Sequence, residues 1–120
     1  MNRQAVLKEI NDLKAVYHKK IAKGESMVER METLAVYMID THGEIQALIK
    51  KMHESTDGVV IESILLNIQL LSIDADGYIL ESQQLKDKCL IVDKELALLD
   101  QEINTRLVFI GLNTIIGDRK

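Results

Sequence analysis

The feature that most constrains this chain is a three-four alternation of apolar residues running almost from end to end. Stepping four, three, four, three from Val6 to Met52 visits fourteen positions, of which eleven are apolar. Restarting at Ile61 and stepping three, four to Ile110 visits fifteen, of which thirteen are apolar. At 47% apolar residues, chance would fill about fourteen of these 29 positions. A mean spacing of about 3.5 residues keeps one stripe of a helix turned toward a partner helix and implies a left-handed supercoil. The 120 residues contain no proline, the residue that costs most inside a helix. The fold class expected is therefore all-α.

Between the two alternations lies Ser55-Thr56-Asp57-Gly58, the strongest turn signal in the chain. Gly58 can adopt a positive φ, and the three polar side chains can bond free backbone groups. A connection this short makes its flanking helices antiparallel neighbours. The pattern predicts a single helical domain over residues 1–120: an antiparallel helical hairpin with arms near residues 3–54 and 59–116 and a turn at 55–58. Each arm of roughly 50 residues would extend about 75 Å. Breaks in the arms are expected near Gly24, Gly43 and Gly77. Lys23-Gly24 reads as a helix end, with a capping box at Ser26 to Glu29 after it. Thr41 to Glu44 reads as a second box, and Asp74-Ala75-Asp76-Gly77 as a third break. Helices much longer than about 25 residues are unusual outside coiled coils and repeats. The alternative is a compact single-chain four-helix bundle, broken at Gly24 and at residues 74–77.

The arms differ in apolar width. The first carries a narrow stripe rich in methionine: Met27, Met31, Met38 and Met52. The second has many apolar residues off its stripe, among them Leu66, Leu70, Ile73, Ile79 and Leu80. A two-helix seam uses only about two positions in seven, so the surplus needs another partner. The candidate interface residues are Leu65, Ile91, Leu98, Phe109, Leu112, Ile115 and Ile116. Dimerisation of two hairpins into a four-helix bundle is the expected arrangement. Docking of another protein on an apolar or Met-rich face is the alternative. Polar residues at Lys20, Gly24, Thr41, Ser82 and Arg106 interrupt the stripes, and such residues often set register. Counted from the turn, Lys20 falls opposite residue 94 or so, and Gly24 opposite residue 90 or so.

Chemistry is sparse. His18, His42 and His53 read as helix-surface residues, since no Glu-x-x-His or His-Glu-x-x-His spacing is present. Cys89, the single cysteine, occupies a stripe position and reads as a small hydrophobe. The segment from Ser72 to Gln83 partly resembles an EF-hand calcium loop, with Asp74, Asp76 and Gly77 in place. Serine and glutamine stand where that loop needs aspartate and the bidentate glutamate, so a turn or helix break, with Asp76 as a cap, is expected instead. No phosphate-binding loop, dinucleotide fingerprint or nucleophile elbow occurs. The expectation is no enzyme, no cofactor and no metal.

A net charge of −4 and four aromatic residues give no footprint for nucleic acid. No signal peptide is recognised at the start, and no run reads as a membrane span. The expected location is the cytoplasm. Together these features predict a non-catalytic helical interaction module, self-associating as an adaptor or scaffold. The alternative is a small helical chaperone, immunity or inhibitor protein that sequesters one target.

Overall fold

In the computed structural model the described residues are 2–118, with side chains described through residue 111. They form two helices, α1 (Arg3–Glu54, 52 residues) and α2 (Gly58–Asp118, 61 residues), which pack against each other as a helical hairpin. There is no strand among the described residues. Two compact units divide the hairpin: one made of residues 1–26 and 88–120, the other of residues 27–87.

Each helix starts where side-chain chemistry supplies a cap. Asn2 Oδ1 accepts a hydrogen bond from the Ala5 amide at 2.7 Å, so α1 begins one residue later. In the turn, Asp57 Oδ1 accepts from the Val59 amide at 2.9 Å, and its carbonyl accepts from the Ile61 amide at 3.0 Å. The Asp57 amide in turn donates to Ser55 Oγ at 3.4 Å. Gly58 departs from its expected role: it has no positive φ and serves as the first residue of α2. Asp57 makes the turn by capping, and the freedom of glycine is not used.

The arms are unbroken. Gly24, Gly43 and Gly77 all lie inside continuous helix, and residues 72–83 form neither a calcium loop nor a turn. Neither candidate capping box caps anything, and Asp76 sits mid-helix. The expected breaks, and the compact single-chain bundle built on them, are therefore corrected. The physical reason is the stripe itself. A glycine inside a helix costs about 1 kcal/mol relative to alanine, whereas a break would displace every apolar residue beyond it from the seam.

Burial follows the alternation position by position. All 29 stripe positions are buried or half-buried, including the five polar interruptions. Off the stripe, the covered residues of the two helices are Glu9, Ile21, Ser72, Glu81 and Glu95, each only half-buried. In the unit of residues 1–26 and 88–120, Val6, Ile10 and Ile103 form a buried cluster, with Leu13 and Ile110 packed on it. Val92 is buried there too, beside Gly24. In the unit of residues 27–87 the buried side chains are Met27, Leu34, Thr41 and Ile64. Tyr37 and Tyr78 meet across that seam with ring centroids 5.5 Å apart. The four methionines of α1 line the seam, Met27 buried and the others half-buried.

Candidate interaction surface

Two of the interruptions, Lys20 and Arg106, are answered from across the hairpin. Lys20 is hydrogen-bonded and ion-paired to Glu95, one residue from the position counted from the turn. Arg106 Nε donates to Glu9 Oε2 at 3.0 Å, and its Nη1 donates to the Glu102 carbonyl at 3.2 Å. A third pair, Arg30 with Glu81, is bidentate at 2.9 and 3.1 Å. The Arg30 hydrogen bonds hold the Glu81 carboxyl below the usual carboxylate range, and Glu81 holds the guanidinium above its own. The hydrogen bond from Lys20, helped by the nearby charge of Lys23, lowers Glu95 likewise. Gly24 has a different use. A Cβ there would meet Val92 Cγ1 at 3.8 Å, so this polar slot is an ordinary packing position.

No constellation for chemistry forms among the described residues. No three His, Cys, Asp or Glu side chains gather in a metal-binding arrangement. His18 stacks edge-on with Tyr17, His42 contacts Gln46 one turn on at 3.0 Å, and His53 is exposed. Cys89 is half-buried in the seam. Among the described residues the concavities are open grooves, some on one helix, such as that lined by Glu44, Ala47, Leu48 and Lys51, and some between the helices, such as that lined by Val6, Glu9, Thr105, Arg106 and Phe109.

What the hairpin presents is apolar surface. Leu65, Ile91, Leu98 and Phe109, named from the sequence, are all exposed. Ile91 and Leu98 lie seven residues apart on one face of α2. Leu65 belongs to the other unit and to a different heptad position. Leu112, Ile115 and Ile116 lie outside the residues whose side chains are described.

The apolar surplus of α2 is ordered. Val59, Leu66, Ile73 and Leu80 recur every seven residues, and Ser63, Leu70 and Gly77 fall between them in three-four steps. This is a second alternation on the side of α2 turned away from α1. Its five large residues are 53–76% exposed. The spacing was legible in the sequence alone, beneath the stronger seam pattern. Part of it, residues 58–75, is also long and apolar enough to cross a membrane by length and composition, although it carries Glu62 and Asp74.

Charge is divided as unevenly as apolar surface. Residues 27–87 hold eleven acidic and four basic residues, a net −7, while the remainder holds eight acidic and eleven basic, a net +3. Between Lys51 and Lys86 there is no Lys or Arg at all. No family model, curated protein or solved structure matches this chain. Fold and surface define its class: an all-α helical hairpin with apolar residues on the outer side of its second helix.

Proposed function

We propose that the protein is a non-catalytic helical interaction module that self-associates through the outer face of α2 around Ile91 and Leu98. The observation carrying this reading is the exposed apolar surface of α2, which includes Leu65, Leu90, Ile91, Leu98 and Phe109. The face around Ile91 and Leu98 suits a second copy because both charge signs border it: Asp87, Lys88, Lys94 and Glu95. Two such helices side by side can place a cation of one against a carboxylate of the other.

Sedimentation velocity from 1 to 100 μM tests the reading. The expected result is a concentration-dependent dimer that Ile91→Lys with Leu98→Lys converts to monomer without loss of helicity. A strict monomer across that range that also leaves an apolar dye dark would overturn it. A second reading, capture of a different protein, is favoured by one observation: the single-signed acidic charge of residues 52–85.

A further inference from the structure

We infer that the outer stripe of α2 between Val59 and Leu80 is a docking seam for a helix of another protein, one that carries its own apolar stripe edged by Lys and Arg. The inference rests on the interaction-module reading and names the partner chemistry for this part of the surface.

Three observations select that occupant. The first is width. Apart from Val60 beside the turn, the positions that border the stripe are polar on both sides: Glu62, Gln69 and Asp76 along one edge, Asn67, Asp74 and Glu81 along the other. A narrow stripe at heptad spacing is what a helix seats, by apolar residues at i, i+3, i+4 and i+7. A lipid-facing surface would be apolar across these edges as well.

The second is relief. Ser63 and Gly77 stand fourteen residues apart, about 21 Å along the axis, and each leaves a notch between large side chains. A Cβ at Gly77 would meet nothing within 4 Å, so that notch is open. Knobs of a facing helix two heptads apart would enter both.

The third is charge. The free edge carboxylates Glu62, Asp74 and Asp76 are exposed, and Glu81 is already bound to Arg30. No Lys or Arg between Lys51 and Lys86 offsets them. Opposite charges across a helix pair guide partner choice, and like charges reject the wrong partner. A second copy laid antiparallel, Leu66 against Leu70 of its twin, would bring Glu62 near the twin's Asp76. Nor does the basic part of this chain provide the complement. The outward positions of α1 over residues 5–22 are Ala5, Lys8, Asp12, Ala15, Lys19 and Ala22, with no large apolar residue.

The test uses the full chain and two synthetic helices of about 24 residues. Both carry Leu or Ile in three-four spacing over three heptads; one has Lys at every edge position, the other Glu. Fluorescence anisotropy at about 0.1 M salt should show the Lys peptide binding at least about tenfold more tightly, with the gap closing as salt rises. Leu66→Asp with Ile73→Asp should weaken binding at least about tenfold while helicity and melting stay unchanged, both sites being exposed. Glu62→Lys, Asp74→Lys and Asp76→Lys together should reverse the preference between peptides.

Equal binding of the two peptides, or binding that survives the Leu66 and Ile73 changes, would overturn the inference. So would a native dimer that those same changes dissociate, because the stripe would then belong to a second copy. Failure of either peptide to bind, with binding instead to phosphatidylcholine vesicles, would assign the stripe to a membrane. A dimer that depends on Ile91 and Leu98, with neither peptide bound, would sink this inference alone and leave the module reading intact.

Discussion

Truncating Leu34 separates the seam from the outer stripe. Leu34 is fully buried, at 0% exposure, whereas Leu66 on the outer stripe is 56% exposed. Leu→Ala at a buried site removes the transfer free energy of the lost methyls and leaves a cavity, together about 2–5 kcal/mol. A seam between only two helices is open along both sides, and its neighbours can close on the gap. Leu34→Ala therefore falls at the low end, about 2–3 kcal/mol. For a chain of this length about 1 kcal/mol moves Tm by about 3–5 °C, so the expected fall is about 10 °C. Leu66→Ala, having little to lose in a lone hairpin, should stay within about 0.5 kcal/mol. Circular dichroism melts of the full chain at about 2 and 100 μM measure both. A Leu34→Ala shift under about 2 °C would refute the seam. A large Leu66→Ala shift that grows with protein concentration would show that stripe covered by a second copy.

Other expectations follow from the same geometry. Gly24→Ala should stabilise by up to about 1 kcal/mol, because φ is not positive and the new Cβ makes only ordinary contact with Val92; a lowered Tm would show that the site cannot accept a methyl. Asp57→Ala removes the cap of α2 and should cost about 0.5–2 kcal/mol in urea titrations. Leu96→Asp or Leu99→Asp places a carboxylate in the half-buried seam and should cost several kcal/mol; unchanged melting would put the seam on another face. Glu81 and Glu95 titrate near 4.5 when unfolded and lower when folded. Their contribution is thus complete well above pH 4.5 and is lost as pH falls through the folded values. The Tm should be flat from about pH 7 to 5.5 and decline below about 4.5. Arg30→Met with Lys20→Met should make that decline shallower.

The hairpin was legible because one periodic signal dominates the chain. The arms and turn read from spacing coincide with the observed helices to within a residue or two at most ends. The breaks were misread because caps and glycines are local signals, while the seam is a sum over dozens of residues. Ser26, Thr41 and Asp76 have cap chemistry, yet capping at any of them would end a helix whose next apolar residue is already in register. The cross-helix partner of Lys20 was legible in position, though its identity as Glu95 needed the coordinates. The outer stripe was hidden for a different reason. A surplus of leucine and isoleucine looks like excess hydrophobicity until it is sorted by heptad position.

The ion pairs favour one register of the hairpin over its neighbours. A three-four stripe is nearly indifferent to a slide of seven residues, since each slot then meets another apolar slot. The charged residues are not indifferent. Sliding one way by a heptad would set Lys20 against Lys88 and Arg106 against Asn2, leaving only Arg30 opposite a carboxylate, Asp74. Sliding the other way would set Arg30 against Lys88 and Arg106 against Val16, leaving only Lys20 opposite a carboxylate, Glu102. In the observed register Lys20, Arg30 and Arg106 each meet a carboxylate instead. These pairs are largely solvated, and pairs of that kind add little to stability on their own. Their effect lies in the difference between registers, where a slid hairpin loses attractive contacts and gains a repulsive one. The apolar seam thus supplies the cohesion of the hairpin, and the sparse polar interruptions decide which residues face each other across it.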